Sequence, residues 1–163
     1  MRRLIELVLG FFSGPSQTPT DSRYDDRFVP LDAEALAEGG IKERYEELLP
    51  ELRKYVSDQV EIEEELGEYS DFYVVRANGR EYRIYDDPDE QRSWGYATFA
   101  FFEILNENLA DASVNFYALY GGNDLAGMFL TSEEMEEIRA TTSNRQAWPY
   151  RPSMEDPWYG QFH

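Results

Sequence analysis

The dipeptide Asn78-Gly79 constrains the fold of this 163-residue chain more than any other feature. It lies between residues 71–77 (DFYVVRA) and 80–85 (REYRIY), two short runs rich in β-branched and aromatic side chains. Asn-Gly tolerates positive φ at both central positions, as a type I′ turn requires, so the stretch predicts a β-hairpin. A second hairpin is expected from Ser113 to Tyr120 and Leu125 to Leu130, joined by Gly121-Gly122-Asn123-Asp124. That turn lacks the Lys-Ser/Thr of a phosphate-binding loop and leads into a strand. Val60 and Ile62 alternate with Glu61 and Glu63, which predicts a further half-buried strand with its acids toward solvent.

Helical signals separate these strands. One helix should begin near Asp32 and stop at Gly39-Gly40. Ile41, Tyr45, Leu48, Leu49, Leu52, Tyr55 and Val56 recur at helical spacing, and Pro50 inside that stripe should kink or split it. Residues 90–109 are apolar over much of the helical circumference, as expected of a central helix lying against a sheet. Thr131 and Glu134 form a capping box that opens a helix to about Ala140. The order predicts an α+β fold, with an antiparallel sheet of about five strands in two hairpins and helices on one side.

The expected boundaries are 1–30 for a short N-terminal helix and linker, 31–140 for the domain, and 141–163 for a tail. Met1 to Phe12 imitates a secretory leader, but Glu6 interrupts its apolar run and no small-residue cleavage site follows, so a short amphipathic or buried helix is expected. Residues 13–30, with Pro15, Pro19 and Pro30, read as a linker or an extended segment on the surface. The tail carries Trp148, Tyr150, Trp158, Tyr159 and Phe162, rings a solvated tail rarely holds, and should fold back on the domain.

Composition removes much chemistry. There is no cysteine, and the single histidine is His163, which leaves no thiolate site and no histidine triad. The serines lack a base and lie in no G-x-S-x-G context. Asp86-Asp87-Pro88-Asp89-Glu90 offers oxygens to a divalent cation but not with calcium-loop spacing. A glycosidase pair is conceivable within Glu61 to Glu68 or that acidic cluster, yet both read first as solvated faces. Arg76, Arg80 and Arg83 read as cross-strand partners for Glu81 and its neighbours. No active site, metal or cofactor is expected.

The net charge of −18, from 33 acidic and 15 basic residues, disfavours nucleic acid and anionic membranes as partners. It favours a cationic protein met by an acidic face with interspersed aromatics. The residues nominated for such a face are Tyr85, Asp86, Asp87, Asp89, Glu90, Glu61, Glu63, Asp71 and Tyr73.

Trp94-Gly95-Tyr96 opening an aromatic helix, then VNFYALY at 114–120, GGNDL at 121–125 and AGMFLT at 126–131, resembles the C-terminal half of bacterial immunity proteins of polymorphic and secretion-delivered toxin systems. The resemblance covers roughly residues 94–140, and its motif is structural. It implies a small, acidic, cytoplasmic, non-enzymatic protein that occludes one cognate cationic toxin. Two other readings stand beside it: an Asp/Glu-based, possibly divalent-metal-dependent hydrolase, and a DNA-mimic inhibitor of a nucleic-acid-binding protein.

Overall fold

The computed structural model describes residues 22–87 and 91–163. The N-terminal helix expected at 1–12 lies outside these residues. The described elements are β1 (Phe28–Pro30), α1 (Ala33–Ala35) continuing into a wide turn (Leu36–Gly40), α2 (Ile41–Leu52), β2 (Ile62–Leu66), β3 (Tyr73–Ala77), β4 (Arg80–Tyr85), α3 (Ser93–Asn108), β5 (Asn115–Leu119), β6 (Ala126–Leu130) and α4 (Ser132–Thr141). The class is α+β, but the strands form two antiparallel sheets of three, ordered β1-β6-β5 and β2-β3-β4, not one sheet of five.

The reason lies in α3. Ala97, Ala100, Phe101, Phe102, Ile104 and Leu105 are all buried, so apolar surface surrounds this helix and must be covered on more than one side. It packs against β4 of one sheet and β5 of the other. Phe102 stacks on Phe116 of β5 with ring centroids 4.8 Å apart, and Tyr82 of β4 meets Phe99 at 6.5 Å.

Helices also occupy more than one side. β6 is buried at all five positions. Phe129 faces the α3 core, while Met128 and Leu130 share the reverse face with Tyr117, Leu119, Tyr24 and Ile138 of α4. Such two-sided burial explains the unbroken apolar run of β6.

The local signals act where expected. Asn78 (φ 50) and Gly79 (φ 74) both take positive φ between Ala77 and its partner Arg80. Asp32 Oδ1 accepts from the amides of Glu34 (2.9 Å) and Ala35 (3.3 Å), and the first helical stretch ends where Gly39 takes φ 96. Thr131 and Glu134 make both capping-box bonds. α2 runs through Pro50 and stops two residues later, so Tyr55 and Val56 of the stripe follow the helix and still pack on the core.

Residues 28–30 close the stretch expected as a linker or an extended surface segment, and they are extended but not loose. Phe28, Val29 and Pro30 pair with Met128, Gly127 and Ala126. A two-pronged ion pair from Arg27 to Glu134 (3.0 and 2.9 Å) holds the segment there.

The outer edge of β5 is closed by two devices. Asn106 of α3, 6% exposed, donates through Nδ2 to the Phe116 carbonyl and accepts the Phe116 N–H (2.9 and 2.8 Å). Two residues on, Ala118 exchanges backbone hydrogen bonds with Tyr150 (2.8 and 2.9 Å). The C-terminal segment thus lies along β5, with Tyr150 buried and Trp148 Nε1 donating to the Thr142 carbonyl. Phe162 packs against Trp148 and under Arg139, while Trp158 stays half exposed.

Candidate functional site

Glu63, Tyr73 and Tyr85 of the nominated residues lie in the β2-β3-β4 sheet, with Glu61, Asp71, Asp86 and Asp87 beside its strand ends, and the two faces of this sheet are unlike. Ile62, Tyr73, Val75, Ala77, Tyr82 and Ile84 face the core. The outer face carries charges in a connected chain. Arg76 pairs with Glu65 (2.9 Å) and Glu81 (3.1 Å), Arg83 with Glu81 (3.1 Å) and Asp86 (2.7 Å). The hydrogen bonds from Arg83 and Arg76 hold the Glu81 carboxyl below its ordinary range. Of the three first-hairpin arginines, Arg76 alone pairs across strands as expected; Arg83 pairs along its own strand and with Asp86, and Arg80 turns instead to Glu103 and Glu107 of α3.

Glu61 and Glu63 are exposed near the Asn78-Gly79 turn. Glu63 lies opposite Arg76 in register, but Arg76 turns to Glu65 and Glu81. Among the described residues neither Glu61 nor Glu63 enters an ion pair.

The other nominated residues that the structure describes, Asp71, Tyr73, Tyr85, Asp86 and Asp87, lie at the opposite end of the sheet, roughly 10 Å along β2 from Glu63 at ~3.4 Å per residue. Tyr73 does not belong to that surface. It is 0% exposed, donates to Glu64 Oε1 (2.5 Å) and accepts the Ile41 amide (3.3 Å). Burial first, then the Glu64 hydrogen bond, push its phenol pKa upward. The physical cause is phase: Arg76 must face water, so Tyr73 faces the core. Glu64 also accepts the Lys42 amide (2.6 Å), capping α2, whose N-cap residue Gly40 has no side chain to do so.

Tyr85 is half-buried and stands opposite Tyr73 because the β3–β4 register shifts between Tyr73 and Val74. Such an irregularity re-aims a side chain at a strand end. The two rings lie 6.1 Å apart. Burial, then the nearby carboxylates of Glu38 and Asp71, raise the Tyr85 phenol pKa. Leu66, 45% exposed, ends the same row on β2, and Tyr69, 82% exposed, stands in the β2–β3 loop. Leu66 and Tyr85 thus flank buried Tyr73, with the carboxylates of Glu38 and Asp71 near Tyr85, Asp86 next to it in the chain, and Tyr69 exposed in the adjoining loop. Asp87 follows Asp86, and Asp89 and Glu90 lie outside the described residues.

Leu66 and Glu38 went unnominated. Leu66 was legible as the end of the inward phase Ile62-Glu64-Leu66, whereas Glu38 arrives through the turn at Gly39, which no local pattern links to the sheet. Among the described residues no group of three or more His, Cys, Asp or Glu side chains converges as a metal site. Besides Glu81, the carboxyl of Glu134 is held low, by its hydrogen bond from Arg27, the direction opposite to that of a general acid. Comparison with known protein families, curated proteins and solved structures gave no match.

Proposed function

We propose that this chain is a non-enzymatic, immunity-type binding protein that neutralises a cationic toxin domain by covering it. The observation that carries the reading is the end of the β2-β3-β4 sheet. There, exposed Leu66 and Tyr69 and half-buried Tyr85 lie with Glu38 and Asp71, carboxylates without an ion pair among the described residues, while Glu65, Glu81 and Asp86 of the adjoining face are paired with Arg76 and Arg83. Rigid aromatic anchors inside a charged rim are what a protein interface uses for affinity, and the uncompensated acids steer a basic partner. The charge of −18 extends the same attraction beyond the patch. The chain acts in the cytoplasm, where an arriving toxin would be met.

The test is co-expression with each basic protein encoded beside its gene. Growth rescue and a stoichiometric complex support the reading. Raising salt from about 50 to about 500 mM should slow association roughly tenfold with less effect on dissociation. Tyr85→Ala with Asp71→Lys should speed dissociation and slow association, respectively. Absence of rescue by every neighbouring gene, or a complex unaffected by both substitutions, removes the reading.

A further inference from the structure

A groove of about 510 Å³ runs between α2 and the start of β2. Tyr45, Glu46 and Leu49 form its helical wall, and residues 59–63 form the other. Five successive residues of an extended chain can border one groove only along its backbone edge, because alternate side chains leave by opposite faces.

The hydrogen-bonding phase shows which groups that edge presents. The Gly67 N–H donates to the Phe72 carbonyl (2.9 Å), with Leu66 opposite Tyr73. In an antiparallel ladder this places Glu65 and Glu63 in the pairs bonded to β3, and turns the backbone of Ile62, Glu64 and Leu66 outward. Val60, in the same outward phase, is already satisfied: its N–H donates to Asn108 Oδ1 (2.9 Å) and its carbonyl accepts from the Tyr45 hydroxyl (2.9 Å). Among the described residues no hydrogen bond reaches the outward backbone groups of Ile62, Glu64 or Leu66. The contrast is with β5, whose outer edge Asn106 and Tyr150 close.

An open edge is a template for another strand. Its charges choose the occupant. Among the described residues Glu46, Glu61 and Glu63 border the groove without an ion pair, against Lys42. A second copy pairing edge to edge would set these acids against their own equivalents, which disfavours self-association. We propose that the outer edge of β2 accepts, by strand addition, an extended segment of a cationic partner protein. Its basic side chains lie on the face beside Glu61 and Glu63, and its alternate, apolar side chains turn toward Tyr45 and Leu49. This deepens the binding reading above and rests on it.

The probe is an end-capped octapeptide of alternating lysine and valine, with the glutamate–valine peptide as its counterpart, titrated into the isotope-labelled full chain. The lysine peptide should slow hydrogen exchange of the Ile62 and Glu64 amides by about tenfold or more. The glutamate peptide should not. Glu61→Lys with Glu63→Lys should weaken the lysine peptide by about tenfold, and Glu61→Gln with Glu63→Gln by less, in variants whose unbound spectra keep the native fingerprint. Binding that leaves those two amides unprotected is diffuse charge attraction and overturns strand addition, as does absence of binding. The two levels separate cleanly: growth rescue without protection of these amides removes the groove proposal alone, and a seated peptide without rescue supports the groove while removing the toxin reading.

Discussion

Replacing Asn106 by leucine should be among the most damaging single changes in this protein, although the side chain is neutral and touches no surface patch. Asn106 is 6% exposed and serves both backbone groups of Phe116 at once. Leucine keeps the branched heavy-atom outline of asparagine with somewhat more volume, so no cavity opens and the cost comes chiefly from the two groups left behind. A buried backbone N–H or C=O without a partner costs about 1–3 kcal/mol, which sums to about 2–6 kcal/mol. The Phe102 carbonyl, which Asn106 Nδ2 also reaches (2.9 Å), keeps its helical partner and adds little. Burying leucine in place of an amide returns about 1 kcal/mol, leaving a loss of about 1–5 kcal/mol, centred near 3. That is a large part of an ordinary domain's about 5–15 kcal/mol. At about 2–4 °C per kcal/mol for a chain of this length, the melting temperature should fall by about 10 °C. Urea titration should show a lower midpoint at unchanged slope, and exchange of the Phe116 amide should accelerate beyond the global change. Asn106→Asp sharpens the test. A carboxyl buried there has its pKa raised above the unfolded value of about 3.9, so its penalty grows as pH rises through about 4 and shrinks below it. A loss under about 1 kcal/mol for Asn106→Leu would refute the reasoning, since another donor or water would then be closing β5.

Three further outcomes are expected. The Glu134 carboxyl is held below its ordinary 4.5 by the Arg27 hydrogen bond, so the ion pair's contribution is complete above that pH and fades as pH falls through the lowered value. The urea-midpoint difference between wild type and Arg27→Met should therefore be larger at about pH 7 than at about pH 3. Gly95→Ala, normally stabilising inside a helix, should lower the melting temperature and loosen the C-terminal segment, because the new methyl would sit 2.5 Å from the Tyr159 ring; proteolysis after residue 150 reads the second effect. Gly79→Ala should cost about 1–2 kcal/mol in urea titration, since φ 74 is strained for alanine even though no atom obstructs the methyl.

Much of the fold is written locally. Asn78-Gly79 determines a hairpin because its two residues tolerate positive φ wherever they stand, and Asp32 and Thr131 cap helices with amides only two or three residues away. The exposure of Glu61 and Glu63 follows from strand alternation alone. Phase likewise carried the fate of Tyr73, once Arg76 is taken as the residue that must face water.

Strand neighbours are another matter. Alternation tells a residue which face it occupies, not which strand lies beside it, so the hairpins fitted one sheet of five as readily as two sheets of three. The choice was made by α3, whose surrounding apolar surface requires cover from both sheets, and β1 exists only because β6 offers it an edge. Polar side chains spent on distant backbone were equally hidden: Glu64 caps a helix 22 positions away, and Asn106 completes a strand ten positions away. Such bonds depend on where the chain returns in space, and no pattern of period or turn encodes that. The candidate site shares this division. Its acids were legible as exposed charge, while their sorting into paired and unpaired groups, and the meeting of Leu66, Tyr85 and Glu38 at one sheet end, arose only from tertiary packing.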